Sequence, residues 1–537
     1  MSGRPDAPGA AGAPATIEAR NPASLEPIGT VAVTAESLLP GIVAQVASVQ
    51  PLWAALRLED RARYMRRTAQ AVIDEFDELV DLIAREAGRP PAEVAALELL
   101  PAIDTLRWLG SRGADLLGSE RVGVPRALHP LKRARVEHEA VGVVAVIGAG
   151  SAPLGQPLCQ IAAALMGGNG AIFKPAPRAS LAAARITRLL ARAGLPEGLV
   201  RVLHGGAGLG REVSRAGGVG RVLFTGSAGV AGVVARECAA AGRQAVVEQG
   251  GADPMIVLED ANLPRAVAGA LWAACAGGGQ THGAVKRVYV VGELHDRFVG
   301  ELAAAAGRLR VGDPLREGTQ LGPLASLERR ARLEAAVGEA LAAGAELRCG
   351  GPVEPVGLAG GFVSPYVLTG ASPGMRVMRE RVPGPVIAVM GVSGATEAIA
   401  LANDGAPGLA ASVWTADLRH GRRIAHRLRA ATVPINDHLP SPGLGRAPWG
   451  AVSGGSIWRS QGLEGLRACV EPKLITWDPP RGRGLWWHPY DRDSSRAARA
   501  LADLRSVRDA DRERALRDGS MALIRLARRS LTSARRS

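Results

Sequence analysis

Apolar residues recur at three- and four-residue steps between Leu39 and Leu117, which is the spacing of one face of a helix. The clearest examples are Val72, Phe76, Leu79 and Ile83. We predict helices across this region, with a break at residues 88–91, where Gly-Arg-Pro-Pro interrupts the pattern. Residues 16–40 are predicted to form short extended pieces and turns.

Short apolar runs alternate with helical periodicity after residue 140. The predicted strands are Val141–Ile147, Ala171–Phe173, Arg201–Leu203, Arg221–Phe224 and Ala245–Val247. The predicted helices between them are Gln156–Met166, Leu181–Ala193 and Val230–Ala240. Repeated strand–helix units of this kind predict a parallel, doubly wound sheet with helices on both faces.

A second α/β unit begins at the apolar run Asp253–Val257. It continues with a predicted helix at Arg265–Cys275, a strand at Arg287–Val291 and a helix at Leu294–Leu309. Residues 130–140 between the helical region and the first sheet read as an extended arm. The fold class is therefore α/β, with two doubly wound parallel-sheet domains.

The composition is that of a globular protein with a large core, since 47% of the 537 residues are hydrophobic. Five scattered cysteines without a CxxC pair indicate a reducing compartment and argue against a zinc site. We therefore expect a cytoplasmic protein. Residues 1–15 lack the apolar core of a signal peptide and are predicted to be a disordered leader. No apolar run of about 18 residues predicts a membrane span.

The net charge of +14 raises the question of nucleic-acid binding. Of the 65 basic residues, 61 are arginines, and they are spread over the whole chain rather than along one stripe. No recognisable nucleic-acid-binding module accompanies them. We predict that the protein does not bind nucleic acid.

The tail, residues 478–537, is basic, with 13 arginines against seven acidic residues from residue 491 onward. Its predicted last helix carries an apolar face, formed by Leu523, Ile524, Ala527 and Leu531. A basic amphipathic helix can lie on an anionic membrane surface. Packing of this helix on its own chain or on a partner subunit is favoured, because the face is short and lacks aromatic residues.

Residues 280–290, Gln-Thr-His-Gly-Ala-Val-Lys-Arg-Val-Tyr-Val, resemble the active-site segment of the aldehyde dehydrogenase superfamily, in which Gly-Gln-x-Cys presents the catalytic thiol. Residues 247–251, Val-Glu-Gln-Gly-Gly, resemble the second signature, which carries the glutamate that activates water. Further matches in order and spacing are Val311–Pro314, Leu321–Leu324, Ala402–Asp404, Gly408–Val413, Ile435–His438 and Pro448–Gly450. The resemblance runs from about Ile17 to Trp477.

The resemblance implies an aldehyde-dehydrogenase-like fold with an oligomerisation arm. The nucleotide-binding, Rossmann-like domain is expected at residues 16–128 and 141–254, the arm at 129–140 and 454–477, and the catalytic-type domain at 255–453. Residues 478–537 are a basic C-terminal extension outside it. The implied assembly is a homo-oligomer, or a hetero-oligomer with an active relative.

His282 stands at the position of the family's catalytic thiol. A cysteine thiolate suits aldehyde oxidation because it attacks the carbonyl near neutral pH and later leaves the acyl-enzyme. An imidazole adduct of an aldehyde is less stable, and the ring is bulkier than a thiol. Cys275 lies seven residues earlier and is interpreted as a core residue.

The other two catalytic positions are only partly kept. In the family a side-chain amide within Pro-Trp-Asn-x-Pro stabilises the oxyanion, and the matching residues 149–153 place Ser151 there. A serine hydroxyl is a donor but is shorter than an amide. Glu248 matches the general base for deacylation. The alternative interpretation of Glu248 is a buried structural carboxylate with satisfied hydrogen bonds.

The cofactor that the resemblance implies is NAD or NADP. Lys174 matches the lysine that contacts the adenosine ribose, whereas Pro177 stands where many members place a ribose-binding glutamate. Thr225, Gly226 and Ser227 match the turn-to-helix segment under the pyrophosphate, where backbone N–H groups and a helix N-terminus favour an anion.

At the nicotinamide end, residues 381–385 match the family's Glu-x-Phe-Gly-Pro. Arg381 replaces the glutamate that holds the nicotinamide ribose, and Pro383 replaces the phenylalanine. Arg381 can attract phosphate but cannot accept hydrogen bonds from ribose hydroxyls. Residues 148–153 are only an imperfect dinucleotide fingerprint, because Pro153 takes the place of the third glycine.

Four changes thus fall at the reacting centre while the scaffold motifs persist. The leading hypothesis is a pseudoenzyme that binds a nucleotide or scaffolds an active relative. The alternatives are an active oxidoreductase on a small aldehyde with NAD or NADP, and a hydrolase in which His282 and Glu248 activate water. A metal site formed by His282, Glu248 and Cys275 ranks lowest, because no second histidine lies nearby.

Overall fold

The computed structural model describes residues 15–126, 128–129, 131–405, 408–438, 444–452, 456–480, 484–488 and 490–532. The chain divides into two compact units. The first comprises Met1–Leu116 and Ala140–Glu471, and the second comprises Leu117–Glu139 and Pro472–Ser537. The predicted leader lies outside the described residues except for Ala15. The predicted domain boundaries stay predictions.

The N-terminal part of the first unit is a hairpin followed by helices, as predicted. Strands Thr16–Arg20 and Pro27–Ala32 pair antiparallel. The helices are Leu39–Ala54, Leu58–Asp74, Phe76–Ala87, Pro91–Val94 and Leu100–Leu116, with a 3-10 turn at Glu36–Leu38 and a π-helical turn at Ala95–Leu99. The predicted break is confirmed, because Gly88 ends a helix in the left-handed conformation with φ 68°.

Two segments of this helical part bear on whether the chain could cross a membrane. No single helix within the described ranges is long and apolar enough to cross a membrane. The two segments Glu36–Ala54 and Leu58–Asp74 meet the length and composition criteria only as a pair, and they are bent by 117°.

The first six-stranded sheet, called sheet A, is parallel except at one edge. Its strand order is Ser456–Ile457, Gln244–Gln249, Val219–Gly226, Val143–Ile147, Gly170–Lys174 and Val200–Val202. Its helices are Gly155–Met166, Ser180–Arg192, Ala207–Arg215 and Ala228–Ala240, with a 3-10 turn at Pro177–Ala179. The predicted strands and helices of this region are confirmed with shifts of one to a few residues at their ends. Ser456–Ile457 pairs antiparallel with Glu248 and Val247.

The second six-stranded sheet, called sheet B, has the order Glu346–Pro352, Val363–Thr369, Val386–Val392, Val285–Val291, Asp253–Val257 and Ser412–Trp414. Only its first pair is antiparallel. Its helices are Leu263–Cys275, Leu294–Gly307, Leu327–Ala342, Arg376–Arg379, Ala395–Asn403 and Leu418–Ala425. Shorter elements complete the unit at Gly408–Ala410, Ala430–Thr432, Leu444–Arg446 and Gly462–Arg467. The predicted α/β class with two wound sheets is confirmed.

Apolar strands explain why both sheets are buried on two faces. Val143–Ile147, Gly170–Lys174 and Asp253–Val257 are buried at every position, as parallel strands between helices require. Ser151, Lys174, Thr225–Ser227 and Glu248 lie at or just beyond the carboxyl ends of sheet A strands, where ligands bind in open α/β sheets. His282 and Arg381 lie in loops that precede strands of sheet B.

The second unit contains a three-stranded sheet in the order Val470–Trp477, Arg133–Ala140 and Glu120–Val122. Its helices are Arg492–Asp503, Asp509–Arg514 and Ser520–Thr532, with a π-helical turn at Ala515–Gly519. The predicted extended arm is confirmed as the strand Arg133–Ala140.

The predicted apolar face of the last helix is confirmed only in part. Leu523 packs against the buried cluster of Ala497, Ala522 and Leu526, whereas Ile524 is 45% exposed and Ala527 is exposed. The buried face is thus turned by about one residue from the predicted face, because Ala497 on the neighbouring helix sets the packing. The side chain of Leu531 lies outside the described ones.

Candidate active site

A glycine-rich loop presents His282. It follows helix Leu263–Cys275, and Gly277, Gly278 and Gly279 all have left-handed φ angles between 64° and 69°. A Cβ on Gly279 would collide with the carbonyl of Gly384. Only glycine adopts this run at low cost, so the sequence Gly-Gly-Gly sets the path of the loop.

Lys286 fixes the same loop from inside. Its ammonium donates to the carbonyl oxygens of Gly279 (2.8 Å) and Gly384 (2.5 Å), and its side chain is 1% exposed. Burial, together with the nearby Arg381, lowers the pKa of Lys286 to about 7. No motif points to the role of Lys286 in the sequence, because a single lysine at the start of a strand carries no pattern of its own.

The ring of His282 contacts two segments of the chain, the loop at Ser151 and the end of strand Val219–Gly226. Nδ1 lies 3.2 Å from the hydroxyl oxygen of Ser151, and Nε2 lies 3.3 Å from the carbonyl oxygen of Gly226. Burial and the Arg381 guanidinium lower the pKa of His282 to about 3, so the ring is neutral near pH 7. A carbonyl oxygen only accepts, so Nε2 carries the proton and Nδ1 accepts from Ser151.

In this arrangement the hydroxyl proton of Ser151 and both ring nitrogens of His282 are engaged in hydrogen bonds. The Nδ1 lone pair of His282 accepts the hydroxyl proton of Ser151. The only hydroxyl proton of Ser151 is therefore directed at the ring and not at a substrate oxyanion. The backbone carbonyl of Ser151 accepts from Arg89, which fixes the loop after strand Val143–Ile147.

Arg89 belongs to a buried ion network. Its guanidinium lies 3.2 Å from Glu98 and 3.7 Å from Glu93, and all three side chains are at most 8% exposed. Glu93 accepts from the backbone N–H of Gly277 (2.7 Å), and Glu98 accepts from that of Gly155 (2.8 Å). Burial raises the pKa of both carboxyls, and the Arg89 charge opposes this rise. The network ties the His282 loop to the Ser151 loop.

Glu248 is saturated with hydrogen bonds. The amide of Gln156 donates to both carboxylate oxygens (2.9 and 3.0 Å), the Trp449 indole donates to Oε1 (2.9 Å), and the Ser460 hydroxyl donates to Oε2 (2.5 Å). The residue is 1% exposed, and burial raises the pKa of its carboxyl. These bonds join one strand to a helix and two loops, which supports the structural interpretation of Glu248.

One cavity of about 180 Å³ brings the three predicted catalytic residues together. Ser151, Glu248 and His282 all line it, together with Gln156 and Trp449. Glu248 and His282 are both among the described residues and make no hydrogen bond to each other. This does not favour the water-activating pair. Within the described ranges no group of three His, Cys, Asp or Glu side chains could hold a metal ion.

The residues that hold Glu248 and Ser151 are not predictable from sequence motifs. Trp449 lies in a segment that was matched only as a scaffold motif, and Gln156 lies in the first turn of the helix after the Ser151 loop. Ser460 and Arg89 carry no pattern of their own. Their roles arise from contacts between positions 62 to 212 residues apart in the chain.

The adenosine end of the cofactor cleft fits NAD or NADP. Lys174 ends a strand of sheet A next to the central strand Val143–Ile147. Its side chain is 6% exposed, and its ammonium has no hydrogen-bond partner in the described part of the chain. Burial lowers the pKa of Lys174 to about 8. Such a group would contact a ribose or phosphate oxygen there.

The pyrophosphate segment also fits. Thr225 accepts a hydrogen bond from Gln160 (3.2 Å) and is paired with Glu248 across sheet A. Ser227 immediately precedes helix Ala228–Ala240, whose first N–H groups have no partners within the helix. Gly226 departs from the expected role, since its carbonyl contacts the ring of His282.

Arg381 occupies the predicted nicotinamide end. It lies beside His282, because a Cβ built on Gly250 would be 2.7 Å from the His282 ring and 3.1 Å from the Arg381 guanidinium. Arg381 donates to the backbone carbonyl of Gln280. A guanidinium has no acceptor, so it cannot accept the hydroxyl protons of a ribose as a carboxylate does. The predicted loss of a ribose ligand at this position stays a prediction.

Burial disfavours the thiolate form of all five cysteines. All are free, and only Cys349 is more than slightly exposed. Burial raises the pKa of Cys159, Cys275 and Cys469 to about 12 and that of Cys238 to about 11. Cys159 lines the cavity, but its thiol is protonated near neutral pH.

The wound sheets and the site loops together define an aldehyde dehydrogenase fold, and the chain belongs to the aldehyde dehydrogenase family. The family model matches residues 10–475. Betaine aldehyde dehydrogenase of Mesorhizobium japonicum is 33% identical, over 84% of this chain and 92% of that protein. Glutarate-semialdehyde dehydrogenase of Pseudomonas aeruginosa is 31% identical, over 86% of this chain and 94% of that protein.

A solved relative carries the cofactor. The structure of an aldehyde dehydrogenase from Bacillus cereus in complex with NAD⁺ superimposes with a TM-score of 0.82 at 28% identity, over 87% of this chain and 94% of that chain. NAD or NADP is the cofactor of this oxidoreductase family. The aldehyde dehydrogenase family predicted from the sequence motifs is confirmed.

Proposed function

We propose that this protein is a pseudoenzyme of the aldehyde dehydrogenase family. The observation that carries the proposal is the ring of His282, which stands in place of the thiol and is hydrogen-bonded on both nitrogens, to Ser151 and to Gly226. A nucleophile needs a free lone pair directed at the carbonyl carbon. The neutral ring of His282 has none.

Two further groups support the same conclusion. Ser151 directs its hydroxyl proton at His282, so the oxyanion position lacks its side-chain donor. Glu248 accepts four hydrogen bonds from Gln156, Trp449 and Ser460, and without an acyl-enzyme it has nothing to deacylate. Each of the three catalytic positions therefore serves local structure.

The remaining role is nucleotide binding or scaffolding. Lys174 and the Thr225–Ser227 segment would hold the adenosine ribose and pyrophosphate of NAD or NADP, which supplies hydride transfer in active members. Arg381 would weaken binding of the nicotinamide riboside. The proposal includes a cytoplasmic homo-oligomer, or a hetero-oligomer with an active relative, in which residues 129–140 and 454–477 serve as the oligomerisation arm.

The test is a spectroscopic assay of the purified full chain. NAD or NADP is mixed with betaine aldehyde, glutarate semialdehyde and simple aliphatic aldehydes, and formation of reduced cofactor is followed by absorbance. We expect a rate equal to that of the cofactor and aldehyde without protein. Reduced cofactor that forms with the wild type and disappears in Glu248→Ala, with its fold verified by circular dichroism, would overturn the proposal.

A further inference from the structure

Two arginines converge on Gln280, two residues before His282. The guanidinium of Arg329 donates to the side-chain oxygen of Gln280 (2.7 Å), and that of Arg381 donates to its backbone carbonyl. Arg329 lies in the first turn of helix Leu327–Ala342, whereas Arg381 follows the short helix Arg376–Arg379. Two separate elements therefore place like charges at one residue.

A third arginine reaches the same region from sheet A. Arg178 lies in the 3-10 turn after strand Gly170–Lys174, and its side chain fills the space where Gly150 lacks a Cβ. Gly150 precedes Ser151, which contacts His282. In the family a tryptophan stands at the position of Gly150, so the small residue here makes room for the guanidinium.

No carboxylate forms a salt bridge with Arg178, Arg329 or Arg381 within the described part of the chain. Two acids attract these arginines at longer range. Glu328 acts on Arg178 and Arg329, and Asp253 acts on Arg381. Burial, together with repulsion from Arg178 and Arg381, lowers the pKa of Arg329 to about 9. Unpaired, mutually repelling guanidiniums indicate a position for an anion.

The arginine cluster is continuous with the nucleotide segment. His282 contacts the carbonyl of Gly226, which is the residue between Thr225 and Ser227 at the start of helix Ala228–Ala240. At the same carboxyl edge of sheet A, the side chain of Lys174 is 6% exposed and forms no hydrogen bond within the described residues. Positive groups thus lie at both ends of the predicted cofactor position, Lys174 at its adenosine end and the arginines at its nicotinamide end.

We propose that the cleft binds an adenine nucleoside triphosphate, with the terminal phosphate held by Arg178, Arg329 and Arg381 where active members hold the nicotinamide riboside. This inference rests on the proposed function, since it assigns a ligand to a cleft that no longer supports hydride transfer. The adenosine lies at Lys174, and the inner phosphates lie at the helix N-terminus after Ser227.

The chemistry separates this ligand from NAD. A phosphate offers several anionic acceptors to guanidinium forks, and each charge-assisted pair is strong. The nicotinamide ribose offers hydroxyls that must donate as well as accept, and the nicotinamide ring is cationic in NAD⁺. Three guanidiniums therefore favour the triphosphate and disfavour NAD⁺ at the same position.

The test is isothermal titration calorimetry on the full chain with ATP, ADP, NAD⁺ and inorganic tripolyphosphate, all without magnesium. We expect ATP to bind at least about tenfold tighter than ADP and NAD⁺, as one or more added charged hydrogen bonds imply. Tripolyphosphate is expected to bind more weakly than ATP, because it lacks the adenosine. Equal affinities for ATP and ADP, or tighter binding of NAD⁺, would overturn the proposal.

Two variants assign the effect to the cluster. Arg329→Gln and Arg381→Gln are each expected to remove most of the difference between ATP and ADP. Arg330→Gln is the matched control, since Arg330 lies on the same helix and is paired with Glu334 at 2.8 Å. If the control lowers the preference as much as Arg329→Gln and Arg381→Gln, the site is not at the cluster.

The outcome is independent of the aldehyde assay. Formation of reduced cofactor would refute the pseudoenzyme without measuring ATP affinity. A lack of preference for ATP, with no reduced cofactor formed, would refute the triphosphate site and leave the pseudoenzyme standing.

Discussion

His282 and Ser151, which the sequence motifs align with the family's thiol and oxyanion amide, are hydrogen-bonded to each other at 3.2 Å. In an active member the substrate carbonyl must enter between these two groups, with its carbon at the nucleophile and its oxygen at the donor. Here the two side chains close that space. Restoring either group alone leaves the other misplaced.

The first prediction concerns restoration of the thiol. We expect His282→Cys to give no detectable oxidation of aldehydes with NAD⁺, because a missing oxyanion donor alone lowers the rate about 100- to 1,000-fold and Arg381 still occupies the ribose position. The measurement is formation of reduced cofactor under single-turnover conditions. A burst of one equivalent from the single variant would contradict this.

The comparison is the triple variant His282→Cys, Ser151→Asn, Arg381→Glu. It rebuilds the nucleophile, the amide and the ribose carboxylate together, and we expect it to give a measurable burst. Cys275→Ser in the triple background serves as the control, because loss of the burst there would show that the wrong thiol reacts.

The second prediction concerns the pH dependence of stability. The pKa of His282 is about 3 in the folded protein against 6.5 for the ordinary side chain. The unfolded chain therefore binds the proton first, and the stabilisation is complete above about pH 6.5 and is lost as the pH falls toward 3. Between pH 7 and pH 5 this amounts to about 2 kcal/mol for one histidine.

His282→Gln is expected to remove about this amount of the pH dependence. The measurement is urea denaturation at both pH values for the wild type and the variant. His426→Gln, at an exposed position, is the matched control for the effect of a histidine-to-glutamine substitution. Burial also lowers the pKa of His438 to about 4. This residue is expected to cause a similar loss of folding stability between pH 7 and pH 5, and that loss should persist in His282→Gln.

The third prediction concerns the buried ion network. Arg89→Ala leaves Glu93 and Glu98 as uncompensated buried carboxylates, which destabilises a protein by about 3–5 kcal/mol. Arg85→Ala on the preceding helix breaks an exposed pair with Asp81 and is expected to cost at most about 1 kcal/mol. Guanidinium denaturation of both variants checks the contrast, and equal losses would refute the role of Arg89.

The fourth prediction concerns thiol reactivity. At about pH 8 we expect a disulfide reagent to modify at most one thiol of the native chain rapidly, namely Cys349, because burial keeps the others protonated and inaccessible. All five should react after unfolding. Rapid modification of Cys275 or Cys159 in the native protein, located by mass spectrometry, would reopen the search for a catalytic thiol.

Much of the fold was predictable because apolar periodicity reports burial directly. Strands such as Val143–Ile147 read as continuous apolar runs, and Gly88 ends its helix where glycine predicts it. The buried face of the last helix was predicted only in part. Ala522 and Leu526 are buried against Ala497 on a neighbouring helix, and periodicity within one helix does not show which side a neighbour covers.

The sequence predicted individual residues of the site but not the contacts between them. The motifs identified His282, Ser151, Glu248 and Arg381 as altered or kept. They did not show that His282 contacts Ser151 and Gly226, or that Arg178 fills the space at Gly150. Such pairings join residues far apart in sequence and depend on side-chain rotation in three dimensions.

The hydrogen bonds to Glu248 also bear on how genomes are read. A glutamate held by an amide, an indole and a hydroxyl links a strand, a helix and two loops. The same letter in a signature can therefore stand for a structural link or for a general base. A survey of sequences needs the partners of the carboxylate before it infers turnover from the letter.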